Sequence, residues 1–528
     1  MGQAPAPGGC VTASELTQYA VSQVGTNALP ALPARPGEDW QAAWRERLEA
    51  TPIWMVPWLA NQVDGPYWRQ GSLAPAYEEI EAAILMFGGW MDSYIDPVFR
   101  MLDRCTAPRR AIVGNWVHTF PDEGYPGPNL DWLHEFVRFF DFWLKEEQNG
   151  AMDEPGLTWF QRDYAAPEAF PVGWPGSWRA ARAYGPSAGG NATFWLSGGE
   201  QSLRGALDAQ PATAWGAETF AHRATVGTSG GLSWGAGSAP NGLARDIRRD
   251  EVGLPVFISR PLDEPLAVLG PAVATLEVSS SMTVATLVVR LSDVAPDGTS
   301  SQVSMGILNL THRNGHTKPE PMVPGRPELV RVALRSAGYR FAAGHRIGLS
   351  VGSSLWPVIW PSPESGSLTI HQGPSALDRG GSRLELPLAP ADDDAEVPSF
   401  LTTLPDLDEV GGGRDDSPRW QVTEDVLAGT TTVSTHDGGE TVLEDGGRLY
   451  SAESHDLAAS DQAPAVANMT SAVRYVLERD GHRVEVDVDA TTSSDAGAFR
   501  MVMDLRVRLD GDAFFDRGLD ERIPRRLV

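Results

Sequence analysis

Apolar positions recur at three- and four-residue spacing over 39–50, where Trp40, Ala43, Trp44 and Leu48 share one side, and predict an amphipathic helix. Residues 1 to about 80 start Pro/Gly-rich and continue as a helical region carrying Trp40, Trp44, Trp54, Trp58 and Trp68, an aromatic face expected to be core. The pattern changes at Ala83-Ile84-Leu85-Met86-Phe87, a short continuous apolar run closed by Gly88-Gly89, as a strand buried on both faces requires. Ile95 to Arg104 predicts a helix, Arg110-Ala111-Ile112-Val113 a second buried strand closed by Gly114, and Leu130 to Glu147 a long, strongly apolar helix. Strand, helix, strand, helix is the grammar of a parallel sheet with right-handed crossovers. Two such strands cannot bury a core alone, so neighbours are missing on the N-terminal side, and the first 150 residues are expected to expose a sheet edge and uncovered helices.

Beyond about residue 158 short β segments dominate: Ala274 to Val278, Thr283 to Leu291, Gln302 to Leu310, Leu329 to Leu334, Arg346 to Gly352 and Ser367 to His371, with turns such as Pro296-Asp297-Gly298 between them. Many short, punctuated strands predict a β-sandwich or jelly roll. An acidic stretch near 391–416 reads as an exposed loop. Strands resume at Thr430 to Thr435, Val473 to Glu478 and His482 to Asp489, the last alternating apolar and polar, so the sandwich is expected to run to the C-terminus.

Charge narrows the function classes. Forty-two basic against sixty-nine acidic residues give −27, with no basic run, which argues against nucleic-acid or anionic-membrane binding. The longest apolar run, Ala82 to Met91, is about half of what a membrane helix needs. With no secretory leader at the start, the expectation is a cytoplasmic protein. Cys10 and Cys105 are the only cysteines and are expected to be idle buried thiols; they exclude a disulfide framework and paired-cysteine zinc sites.

Asp92 and His118 stand out as candidate chemistry. Each lies a few residues past the C-terminal end of a predicted parallel strand, in Gly88-Gly89-Trp90-Met91-Asp92 and Gly114-Asn115-Trp116-Val117-His118, the edge where α/β sheets gather catalytic groups. One crossover separates them, so the side chains can meet. An aspartate against an imidazole fixes its tautomer and stabilises the imidazolium formed when it takes a proton from a nucleophile. His312 and His316 are four apart and could share a metal, but they follow a strand rather than lie on a helix; Asp392-Asp393-Asp394 lacks calcium-loop spacing. No HExxH, P-loop or strand-anchored GxGxxG is present, so no metal or cofactor is expected.

These two loops with Trp68-Arg69-Gln70-Gly71-Ser72, and further along Asp293 to Gly298, Leu308 to Arg313, Gly344-His345-Arg346-Ile347 and Leu355-Trp356-Pro357-Val358-Ile359-Trp360-Pro361-Ser362-Pro363, resemble the X-prolyl dipeptidyl-peptidase and cocaine-esterase (CocE/NonD-type) serine hydrolases. The resemblance implies a fold of α/β plus β class. In it a helical cap region (1–80) precedes the C-terminal part of an α/β-hydrolase domain (81–157), and a jelly-roll β-sandwich (158–528) follows. It also implies acyl transfer on an ester, an amide or an X-prolyl peptide, with His118 as general base and Asp92 as its orienter. Asn115 stands where the family has proline.

The nucleophile does not follow. In α/β-hydrolases Ser precedes Asp and His, in a G-x-S-x-G elbow between strand and helix. Ser14, Ser22 and Ser72 lack the flanking glycines; Ser187, Ser229 and Ser233 have them but come after the His and lead into no apolar helix, Ser233 being the best of a weak set. The expectation is a chain that begins after the elbow, carries base and orienter without nucleophile or oxyanion donors, and is inactive alone. The other class is a non-catalytic jelly-roll binding module presenting a Trp356 and Trp360 surface.

Overall fold

A computed structural model of the chain describes residues 7–31, 39–124, 126–168, 171, 173–185, 188–198, 204–230, 246–378, 380–390, 395–403 and 416–528. Helices α1 (Tyr19–Ala28), α2 (Trp40–Ala50), α3 (Met55–Ala60) and the single turn α4 (Pro66–Arg69) come first. The crossover unit follows as β1 (Ile84–Gly89), α5 (Ile95–Arg104), β2 (Arg109–Gly114), α6 (Trp132–Lys145) and β3 (Leu157–Arg162). β1 and β2 run parallel, with Ile84 opposite Arg109 and Gly89 opposite Gly114. Ile95, Val98, Phe99 and Leu102 recur on one side of α5 and are all buried, joining Met86, Trp90, Ala111, Val113 and Trp159 in one cluster.

Two expectations are corrected here. The parallel sheet has a third strand: β3 pairs with β2, Ala111 opposite Leu157, and a single parallel pair, Arg162 with Tyr339, carries the sheet on into the β region. β3 is buried along its whole length although it reads Leu-Thr-Trp-Phe-Gln-Arg, and its polar Thr158, Gln161 and Arg162 broke the apolar run that marked the first two strands. On the other side β1 is the end of the sheet path, so its outer edge is unpaired among the described residues.

The β region continues as β4 (Gly176–Ala181), β5 (Asn191–Gly198), β6 (Arg204–Asp208), β7 (Gly216–Ala221), β8 (Val256–Ser259), β9 (Leu266–Ser280), β10 (Thr286–Val294), β11 (Ser300–Asn309), β12 (Glu328–Phe341), β13 (Arg346–Gly352), β14 (Ser367–Gln372) and β15 (Arg383–Pro387), around a core that includes Leu276, Leu287, Phe341 and Ile370. Here the second correction enters, because the sandwich does not extend to the C-terminus. β16 (Asp416–Asp425), β17 (Thr430–Val442), β18 (Arg448–Ala459), β19 (Asn468–Arg479), β20 (His482–Ser494), β21 (Ala498–Leu509) and β22 (Asp512–Pro524) form a separate antiparallel meander, each strand paired only with its chain neighbours. Alternate residues Val484, Val486 and Val488 face inward, as a sheet wet on one side requires.

What covers that inner face is the N-terminal helical region. Val21, Val24, Trp44, Leu48, Met55 and Leu59 share one buried cluster with Val433, Val473, Val486, Phe499 and Leu505. Thus the helices expected as a cap on the α/β sheet bury their apolar stripes on the meander, each large side chain contributing about 1.5–3 kcal/mol. Trp356 and Trp360 lie in the same cluster at 0% and 3% exposure, and the Trp356 indole donates to the Leu457 carbonyl at 3.2 Å. They are a seam between sandwich and meander rather than a binding surface.

α6 is turned inside out. Its polar Glu135 is buried against Arg110 of β2 (3.0 Å), with Arg138 and Glu154 completing the cluster, whereas Leu133, Phe136, Val137, Phe140, Trp143 and Leu144 on the same helix are 37% to 75% exposed. The charges fix which side of the helix meets the sheet, and the apolar side faces outward. No helix among the described residues is long and apolar enough to cross a membrane.

Candidate active site

β1 and β2 end side by side at Gly89 and Gly114, and the loops leaving them are stitched together. The Trp90 N–H donates to the Gly114 carbonyl (3.0 Å) and the Met91 N–H to the Trp116 carbonyl (3.1 Å). The approach is so close that a Cβ on Gly89 would lie 2.2 Å from the Trp116 carbonyl oxygen, which makes glycine a requirement there. Met91 and Val117 pack together beneath, while the buried Trp116 indole donates to the Pro128 carbonyl at 2.8 Å. Both loops are therefore pinned before they reach the residues of interest.

The Asp92 carboxylate is used at both oxygens. Oδ1 accepts the Tyr94 N–H at 2.8 Å, closing an Asx turn, and Oδ2 lies 3.0 Å from His118 Nδ1. Asp92 is largely shielded, with 16% of its side chain exposed, whereas the His118 ring is 53% exposed and lies tilted at 58° beside the Tyr94 ring, ring centres 5.1 Å apart. A carboxylate at Nδ1 favours the tautomer with the proton on that nitrogen, which makes Nε2 the proton acceptor. The sequence-predicted pair is thus brought together.

Other candidates fare differently. Ser14 is buried in the N-terminal segment, Ser22 donates to Glu453 of the meander (2.6 Å), and Ser72 Oγ accepts the Ala74 N–H (3.1 Å). The Ser229 N–H donates to Asp250 in the β region (3.1 Å); Ser187, Ser233 and the acidic run 392–394 lie outside the described residues. His312 and His316 hydrogen-bond to each other, Nδ1 to Nδ1, at 3.2 Å, and among the described residues no group of three or more possible metal ligands gathers. Burial pushes the Cys10 thiol up to about 12, which keeps it from ionising.

Two features at the site were not anticipated. Asn115 is fully buried, and neither its amide oxygen nor its nitrogen has a partner among the described residues. From the β region, the Arg335 guanidinium donates to the Asp92 carbonyl, and the Ser336 N–H donates to Asp96 Oδ1 at 2.7 Å. The signal for the second is the Gly270-Pro271 pair, which lies before the predicted strand Ala274 to Val278 but inside β9, where a proline interrupts the ladder.

Residues 3–120 match the profile of X-Pro dipeptidyl-peptidases (S15 family), and 149–385 that of the X-Pro dipeptidyl-peptidase C-terminal non-catalytic domain. A Mycobacterium bovis protein described as a serine esterase is 27% identical over 314 residues, covering 54% of this chain and 46% of its own. The cocaine esterase of a Rhodococcus species is 25% identical over 335 residues, covering 57% and 55%. The chain spans about half the length of the curated relatives it matches. Among solved structures, a CocE/NonD family hydrolase from Staphylococcus aureus superposes with a TM-score of 0.52 over 73% of this chain and 65% of that one at 14% identity. An α-amino acid ester hydrolase does so with 0.52 over 74% and 70% at 18% identity, a likeness of fold.

Proposed function

Because the chain belongs to the X-prolyl dipeptidyl-peptidase and cocaine-esterase family of hydrolases, we propose that it supplies the base-and-orienter half of a Ser-His-Asp site for acyl transfer on ester or amide substrates. One observation carries this reading: Asp92 Oδ2 stands 3.0 Å from His118 Nδ1 past the ends of adjacent parallel strands. His118 takes the proton of an attacking hydroxyl at Nε2 and returns it to the leaving group; Asp92 holds the ring and stabilises the imidazolium.

The hydroxyl comes from outside residues 1–528 in this reading. No serine before Asp92 has elbow glycines, and the flanked ones follow His118, against the chain order of the fold. Support comes from the other end of the sheet, where the edge of β1, unpaired among the described residues, and the outward apolar face of α6 together fit one more parallel strand with its helix. Substrates are small esters, amides or X-prolyl peptides, the class the names of the relatives suggest.

Fluorophosphonate labelling with mapping of the adduct tests it. The 528-residue chain alone is expected to stay unlabelled; joined to a strand, Gly-x-Ser-x-Gly, helix segment it labels at the added serine, and His118→Ala removes that label. An adduct on Ser187, Ser229 or Ser233 of the chain alone, lost in His118→Ala, would overturn the external nucleophile.

A further inference from the structure

We infer that a β-bulge in the jelly roll, at Leu334 and Arg335, is a positioning device for the acid of the site, with Arg335 as its principal residue. This rests on the Asp92–His118 reading above and deepens it.

The argument starts at Gly270-Pro271. Proline has no N–H to give to a ladder, and Gly270 sits at φ +106°, a backbone that favours glycine. The β9–β12 pairing accordingly slips there: Ala333 opposes Val273 and Ser336 opposes Pro271, so Leu334 and Arg335 together face only Ala272. Of the two extra-register residues, Leu334 is buried at 2% exposure in the jelly-roll core and Arg335 turns to the acid loop. The bulge is braced from behind by Ser304, whose hydroxyl donates to the Arg335 carbonyl at 2.6 Å.

Two polar groups at the slip then act on one short loop, whose own turn is closed internally. The Arg335 guanidinium holds the Asp92 carbonyl, the Ser336 N–H holds Asp96 Oδ1 at 2.7 Å, and the turn between them is closed by the Tyr94 N–H on Asp92 Oδ1. Both ends of 92–96 are thus tied to β12. Two residues on, Gly338 lies against Trp90 so closely that a Cβ would meet the indole at 2.5 Å, which keeps the strand and the loop from sliding apart. With the backbone held at Asp92 and Oδ1 taken by the Tyr94 N–H, the remaining oxygen Oδ2 meets His118 Nδ1 at 3.0 Å. The segment matching a domain described as non-catalytic therefore sets the geometry of the acid without touching substrate.

The test reads the imidazole, so it needs no nucleophile. In ¹⁵N-histidine NMR spectra above the titration of His118, the wild type is expected in the Nδ1–H tautomer. Arg335→Met is expected to revert it to the Nε2–H form that a free imidazole prefers in water, with unchanged far- and near-UV circular dichroism, and Arg335→Lys to keep most of the Nδ1–H form. Asp96→Ala, which cuts only the second tie, is expected to give a mixture and serves as the readout should Arg335→Met not fold. A wild type in the Nε2–H form would sink the Asp92–His118 pairing itself. A wild type in the Nδ1–H form that Arg335→Met or Asp96→Ala leaves unaltered would sink the clamp alone.

Discussion

Gly89→Ala is the sharpest perturbation of the two-loop arrangement. The added methyl would sit 2.2 Å from the Trp116 carbonyl oxygen and 2.9 Å from its carbon, both backbone atoms with no rotamer to escape into. Relief demands that the loops part by about 1 Å, since even tight non-bonded contacts stay above roughly 3 Å. The Met91-to-Trp116 hydrogen bond, 3.1 Å in the native loop, then exceeds hydrogen-bond range, and Asp92 and His118, at 3.0 Å, separate with it. Overpacking costs about 1–3 kcal/mol and the lost bond about 1 more, so local stability falls by roughly 2–4 kcal/mol. Amide hydrogen exchange of Trp90 and Met91 is the assay, and at tenfold per 1.36 kcal/mol it should quicken roughly 30- to 1000-fold. Exchange within threefold of wild type would refute the claim that Gly89 is required for loop contact.

Four further outcomes follow from the same structure. Arg110→Met leaves buried Glu135 without its nearest cation and should cost about 3–5 kcal/mol in urea denaturation; a cost below 1 would mean the α6 underside is wet. Phe136→Glu with Phe140→Glu, on the outward face of α6, should cost under about 1 kcal/mol and reduce concentration-dependent association in sedimentation velocity, whereas unfolding would mean that face is packed. Asn115→Leu removes a buried amide unpartnered among the described residues and should raise stability in urea denaturation, by about 1–3 kcal/mol if the shape fits; a fall would reveal a buried partner. Burial holds His222 neutral with its pKa pushed down to about 4, so between there and the unfolded value near 6.5 the unfolded chain binds the extra proton. Its contribution, about 3 kcal/mol, is complete above pH 6.5 and lost as pH falls through 4, and His222→Gln should flatten the stability–pH slope in that window.

The elements that bury one continuous stripe were legible in the sequence. Ile95–Arg104 and Arg346–Gly352 have the bounds their periodicity predicted, and the glycine-closed apolar runs put Asp92 and His118 past neighbouring strands. β3 was not legible, because Thr158, Gln161 and Arg162 are buried polar groups that break its apolar run, and the partners of Arg162, the Gly338 carbonyl and the Tyr339 ring, come from a strand far along the chain. Nor was the separate meander: a one-sided strand reads alike whether it faces a second sheet or a helical layer, and only Trp44, Val21 and Met55 packing on it settles which. The outward apolar face of α6 follows from Arg110 and Glu135, 25 positions apart, whose pairing no helical periodicity encodes. The Arg335 grip is of the same kind, since it joins loop and strand across 243 positions.

The tautomer of His118 in Asp92→Asn, set beside the wild type by ¹⁵N-histidine NMR, bears most directly on the central pair. A carboxylate seated at Nδ1 predicts an Nδ1–H imidazole in the wild type that turns to Nε2–H when the amide replaces it, with the fold retained. The same tautomer in both proteins would mean that Asp92 does not hold the ring, and the account of this site would be wrong.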